Sequence, residues 1–235
     1  MIAVIFGSSG GIGRALTEGV IASGAYTAVY AISRSGAAID GAISLMADFT
    51  NDAQLAAVAA EIGAAGPVTL CLVASGLLSG DGVSPEKTYR ALSADAFARV
   101  FAANTIAPAL IAKHMLPLMP KAERSVFAAL SARVGSISDN RLGGWHAYRA
   151  SKAALNMLIR NFAIEQARRA PGSICIGLHP GTVDTGLSKA FQGGVPREKL
   201  FTPEQSASYL LQVIDGLTPE DSGKCFDWAG KEIPA

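Results

Sequence analysis

Tyr148 and Lys152 stand four residues apart in the run Tyr148-Arg149-Ala150-Ser151-Lys152. On a helix that spacing puts both on one face, one turn apart. A lysine ammonium beside a phenol favours the phenolate, so the pair is expected to draw the tyrosine pKa from its usual value of about 10 towards neutrality. A tyrosine tuned in this way passes a proton to or from a substrate oxygen. A second group, Gly7-Ser8-Ser9-Gly10-Gly11-Ile12-Gly13, follows an apolar run and precedes a helical pattern. Strand, glycine turn and helix offer free backbone N–H groups to a pyrophosphate, so Gly7, Ser9, Gly11, Ile12 and Gly13 are candidate dinucleotide contacts. The spacing is G-x-x-x-G-x-G rather than the commoner G-x-G-x-x-G. Gly7 permits the tight turn, Gly11 the approach of backbone to phosphate, and Gly13 close packing of helix on sheet. Glycine clusters also mark plain turns; the place directly after a strand favours the nucleotide. Together the two groups point to an oxidoreductase.

The second strand ends in Ala31-Ile32-Ser33-Arg34-Ser35, without the carboxylate that binds the ribose hydroxyls of NAD. Ser33 and Arg34 suit a 2′-phosphate, to which a guanidinium presents a fork of donors. NADP(H) is therefore expected over NAD(H), the alternative being a solvated loop arginine.

These residues need a scaffold, and the chain's 235 residues suit one α/β domain. Half of them are hydrophobic, and 20 Lys and Arg balance 19 Asp and Glu, so no strong field draws the chain to nucleic acid or an anionic membrane. No apolar stretch approaches a membrane span or a secretory leader. Cys71, Cys175 and Cys225 each lie inside an apolar run, which reads as buried thiols in a cytoplasmic protein rather than disulfides or metal ligands. Short apolar runs at Ile2–Phe6, Thr27–Ile32, Ala42–Met46, Val68–Val73, Ser125–Leu130, Ser173–Leu178 and Lys224–Trp228 alternate with helical patterns at Gly11–Ser23, Asp52–Ile62, Ala94–Leu118, Ala147–Arg169 and Pro203–Asp215. The alternation predicts a doubly wound, mostly parallel seven-stranded Rossmann sheet with helices on both faces, one domain spanning 1–235.

At this point the chain resembles the short-chain dehydrogenase/reductase family, and within it the C-factor and sniffer-like carbonyl reductases. The resemblance rests on Gly7–Gly13, Asp48, Asn104, Gly135-Ser136-Ile137-Ser138-Asp139-Asn140, the Tyr148–Lys152 pair and His179-Pro180-Gly181-Thr182-Val183-Asp184-Thr185. It implies that Tyr148 is the general acid in carbonyl reduction, and that Lys152 lowers its pKa and holds the nicotinamide ribose. Asn104 would anchor a water linking Lys152 to solvent. Asp48 would accept from the adenine amino group, with Phe49 contributing backbone. Gly76, Pro180 and Gly181 would approach the cofactor closely, Val183 would offer backbone to the carboxamide and Thr185 its hydroxyl to the phosphates. Asp48 has a plainer alternative, capping the next helix, although Asp52 suits that job better.

Two departures stand out. Ala132 falls where the family places a catalytic serine; Ser131, one residue early, is the first candidate substitute and Ser136 the second, or no serine assists. At the fourth strand Val73-Ala74-Ser75-Gly76 lacks the family's bracing asparagine. Leu142, Trp145, His146, Leu187 and Phe191 are candidates to line a pocket for a small, apolar carbonyl compound, and segment 186–200 resembles the family's lid. The resemblance further implies a homodimer or homotetramer through the two long helices. A nucleotide-binding sensor or cell-signalling protein with little turnover is the alternative function, kept open by Ala132.

Overall fold

The computed structural model describes residues 1–80, 82–189, 192, 196 and 199–235. Strand periodicity organises it. In β1 (Ile2–Phe6), Ile2, Val4 and Phe6 enter one core and Ala3 and Ile5 the other, as a two-residue period requires. The same division runs through β2 (Ala28–Ser33), β4 (Val68–Val73), β5 (Ser125–Leu130) and β6 (Ser173–His179). β3 (Ile43–Met46) and β7 (Cys225–Asp227) form the edges. The order is β3-β2-β1-β4-β5-β6-β7, with every pairing parallel. Helices α1 (Gly11–Ala22) and α6 (Pro203–Gly216) cover one face. Helices α2 (Asp52–Ala65), α4 (Ala107–Met115) and α5 (His146–Arg169) cover the other. The order in which successive strands are added reverses at β1, which pairs with β2 on one side and β4 on the other. The crevice beyond the carboxyl ends of the strands opens at that switch point.

The single helix expected over Ala94–Leu118 is interrupted. α3 (Ala94–Phe101) runs into a π-helical turn at Ala102–Ile106, α4 follows, and Leu116–Leu118 is a 3₁₀ turn. Pro108 has no N–H for the carbonyl of Asn104, four residues back, and Pro117 similarly ends regular winding. Turns of this kind concentrate at functional sites, and Asn104 sits in the middle of this one. The cap of α2 is also not the expected Asp52. Asn51 accepts from the Gln54 N–H, while Asp52 binds Lys113 at 2.7 Å and His114 at 2.8 Å across to α4. The three cysteines are buried and unbonded to one another. No helix among the described residues is long and apolar enough to cross a membrane.

Candidate active site

The glycine turn is a cradle with no room for side chains. Gly7 has φ +86°, and a Cβ on it would stand 2.8 Å from the Ser75 nitrogen. A Cβ on Gly13 would stand 2.1 Å from the Gly7 carbonyl oxygen. Gly7 and Ser8 both donate to the Ile32 carbonyl, so the turn is tied to the end of β2. The helix that follows starts at Gly10 with no side-chain cap and no acidic residue in its first turn. Its first amides and the positive end of its dipole are therefore left for an anion. Ser9 is exposed and Ile12 half-buried beside them, and the Ser8 hydroxyl is buried without a bonded partner. These features fit a dinucleotide pyrophosphate.

The other candidate cofactor contacts surround the same crevice. Ser33 is buried, with its hydroxyl 3.3 Å from that of Ser35, while Arg34 is exposed at the tip of β2. Asp48 follows β3; the Thr50 amide and hydroxyl hold its carboxyl below the usual range, with a smaller contribution from Arg34. Phe49 is buried edge-on against Phe6. Across the crevice, a Cβ on Gly11 would meet the Thr185 methyl at 2.8 Å, so Thr185 abuts the glycine turn. Gly181, at φ +79°, lies so close to Phe201 that a Cβ would stand 2.7 Å from the ring. The Pro180 carbonyl accepts from Ser206, and Val183 is buried with its carbonyl accepting from Ser188.

Tyr148 and Lys152 lie in the first two turns of α5. Lys152 is 3% exposed; its ammonium donates to the Leu130 carbonyl at 2.7 Å and sits 5.8 Å from the centre of the Tyr148 ring. Desolvation lowers Lys152 to about 8 and pushes the Tyr148 phenol up to about 12. Desolvation, and not the ammonium, therefore sets the direction of the phenol's shift in this structure, opposite to the expected one. Gly76 leaves room beside both: a Cβ there would be 3.4 Å from Asn104 Oδ1 and 3.9 Å from both Lys152 Nζ and Leu187 Cδ1.

Asn104, fully buried, accepts from the Leu77 N–H at 2.7 Å and donates to the Leu77 carbonyl at 2.9 Å and to Ser151 Oγ at 3.0 Å. Ser151 in turn donates to the Tyr148 carbonyl, and its own carbonyl accepts from Thr105. Ser151 and Thr105 belong to the site without any motif that singles them out. Their only signal was a hydroxyl inside Tyr148–Lys152 and another beside Asn104.

Ser131 requires a correction. Its hydroxyl donates to Asn156 Oδ1 at 2.6 Å. Asn156 lies eight positions beyond Tyr148 on α5, roughly 12 Å along the axis. The Ser131 hydroxyl is thus engaged by the middle of α5 rather than left free to donate to a substrate oxygen. Ser136 is buried, and its hydroxyl oxygen accepts from the Asp139 N–H. Ala132 is buried in extended backbone at the head of the following turn. Of the expected pocket lining, Trp145 meets Tyr148 edge-on at 6.3 Å, His146 is half-buried and Leu142 is 91% exposed. Phe191 and much of segment 186–200 lie outside the described residues.

The family model described as short chain dehydrogenase matches residues 1–194. C-signal of Myxococcus xanthus is 39% identical over 137 residues, 58% of this chain and 77% of that protein. The 1-hydroxy-2-glutathionyl-2-methyl-3-butene dehydrogenase of Rhodococcus sp. is 39% identical over 133 residues, 57% of this chain; the chain spans about half of that relative, 56%. An NADPH-bound carbonyl reductase from chicken fatty liver superimposes with a TM-score of 0.84 at 26% identity, covering 99% of this chain and 98% of its own.

Proposed function

Because this chain belongs to the short-chain dehydrogenase family, we propose that it is an NADP(H)-dependent reductase converting an aldehyde or ketone into an alcohol. The observation that carries the reading is the buried Lys152 ammonium 5.8 Å from the centre of the Tyr148 ring, with Gly76 leaving open the space that a side chain would take beside both Lys152 and Asn104. A tyrosine and a buried lysine so placed have a use in proton transfer that a plain nucleotide binder lacks.

In this reading the uncapped start of α1 and the backbone of Gly7–Gly13 hold the pyrophosphate, with Thr185 closing over it. Asp48 and Phe49 meet the adenine, and Gly76, Pro180, Gly181 and Val183 flank the nicotinamide end. When bound, NADPH supplies a hydride to the carbonyl carbon. Tyr148 gives its proton to the carbonyl oxygen as negative charge develops there, and Lys152 stabilises the phenolate left behind. Reduction requires the protonated phenol, and burial keeps it protonated well above neutral pH. Asn104 and Ser151 hold the turn of α5 that carries both groups. The test is NADPH oxidation by the purified protein against a panel of aldehydes, ketones and diketones. Tight NADPH binding without turnover would favour the sensor reading, which Ala132 supports.

Ser33 and Arg34 support the preference for a 2′-phosphate. Replacing Arg34 by Ala removes a charge-assisted pair of about 1.5–3 kcal/mol, at least tenfold in Kd. NADPH titrations should show that loss and a smaller one at high salt, since Arg34 is exposed. NADH affinity should stay unchanged, and equal loss for both cofactors would remove Arg34 from the site.

The chain is further proposed to form a homodimer or homotetramer. Ile106, Met157 and Ile164, on the π turn and α5, are 49%, 63% and 44% exposed. Such an apolar face favours burial in an assembly. Light scattering that returns the mass of one chain in dilute solution would refute this.

A further inference from the structure

We propose that Glu86, a loop residue between β4 and α3, is a positioning residue that sets the start of α5 and thereby the location of the Tyr148 phenol. The proposal rests on the reading of Tyr148 as proton donor. At 24 residues α5 is a long helix, yet its N-terminus has no side-chain cap and no acidic residue in its first turn. The residue before it, Trp145, has φ +50° and ψ +44°, the left-handed region, where it is the sole non-glycine residue among those described. A bulky residue adopts that conformation only when its surroundings impose it.

Glu86 contacts this junction twice. Its carbonyl accepts from the Trp145 N–H at 2.6 Å, and its carboxylate Oε2 accepts from the Ala147 N–H at 3.3 Å, across a separation of 61 residues. One residue therefore grips α5 on both sides of its first position, His146. It also supplies negative charge to the positive end of the helix. The two preceding glycines complete the fit: Gly143 and Gly144 have φ +64° and +67°, and a Cβ on Gly144 would come within 3.4 Å of the Glu86 carbonyl. Below the grip, Ala147 packs with Val83 and Val100 in a small apolar cluster, so the loop and α5 are joined by packing as well. Glu86 is 6% exposed, and its other oxygen, Oε1, is buried without a bonded partner. A buried carboxylate with one oxygen unpaired is a poor device for stability alone. Its use here is geometric. Tyr148 follows Ala147 directly, and the ring of Trp145, whose N–H donates to the Glu86 carbonyl, meets the Tyr148 ring edge-on. A proton donor displaced by about 1 Å loses rate on the order of 100-fold.

The test compares Glu86→Ala, Glu86→Asp and Glu86→Gln with the unaltered protein and with Tyr148→Phe. Steady-state kinetics and backbone amide hydrogen exchange over residues 145–152 are read together. Glu86→Ala is expected to lower kcat about 10- to 100-fold with the KM for NADPH within about twofold. Exchange should rise over 145–152 and nowhere else. Glu86→Gln, whose amide oxygen accepts the same bond from Ala147, is expected to recover most of kcat. Glu86→Asp keeps the charge but falls short of Ala147, so it should lose kcat as the alanine variant does. Full kcat in the alanine or aspartate variant overturns the proposal, as does equal loss in the glutamine variant, or exchange raised throughout the sheet. If the unaltered protein shows no Tyr148-dependent turnover, the reductase reading falls separately. Unchanged exchange over 145–152 in Glu86→Ala would then still overturn the grip.

Discussion

Replacing Tyr148 by phenylalanine is expected to lower the rate of carbonyl reduction by roughly 10²- to 10⁴-fold, the range for removing a positioned proton donor. The affinity for NADPH should stay within about twofold. The ring is retained, so its edge-on contact with Trp145 survives, and the Lys152 ammonium keeps its bond to the Leu130 carbonyl. The phenylalanine variant therefore isolates the proton. Single-turnover oxidation of bound NADPH, with a separate fluorescence titration of the cofactor, distinguishes loss of chemistry from loss of binding. A variant that retained a tenth of the rate would show that the proton comes from elsewhere. The Ser131 hydroxyl, which already donates to Asn156, offers no ready replacement for the phenol.

A substitution of Gly13 by alanine is expected to act on both stability and cofactor affinity. The new methyl would lie 2.1 Å from the Gly7 carbonyl oxygen, and the obstacle is backbone rather than a side chain that could swing away. Either α1 moves off the sheet or the Gly7 turn opens, at a cost of about 3 kcal/mol or more. For a chain of this size that is a fall in Tm of roughly 6–12 °C. Either movement also spoils the alignment of the α1 amides, so NADPH should cease to raise Tm as a tightly bound ligand does. Thermal denaturation with and without NADPH checks both effects. A variant with the original Tm and the original ligand-induced shift would mean that the turn relaxes freely.

The strands were legible in the sequence because each is a short apolar run closed by a polar or turn residue, and β1, β4 and β5 fall where those runs begin and end. The glycine turn and the tyrosine and lysine on one helix face were legible for a similar reason, since both are local spacings. What escaped was set by distant neighbours. Ala102–Ile106 contains no glycine or proline and reads as a continuation of the helix, so nothing in the period announced the π turn; only the missing N–H of Pro108 bore on it. Ser131 and Ala132 differ by one position at a strand end, where one step reverses the side-chain direction, and the partner that settles Ser131 is Asn156 on another element. The sign of the Tyr148 shift depends on burial by residues that spacing does not reveal. Glu86 stands in a loop with no motif around it, and the amides it binds are 61 positions away or nearly so.

The central placement of β1 has a consequence for how the chain acquires its shape. Ile2 aligns with Ala28 on one side and with Val68 on the other, so the second edge of β1 stays bare until α2 has formed and β4 arrives. Every pairing in the sheet is of this parallel, crossover kind, which makes folding slow relative to a helical bundle of the same length. A β1–β2 pair formed ahead of β4 would expose an apolar ribbon with open N–H and C=O groups, the kind of edge that recruits strands from other chains. Growth at lower temperature or slower synthesis should thus favour recovery of native protein over inclusion bodies, and the nascent segment before β4 is the one a chaperone has most reason to hold.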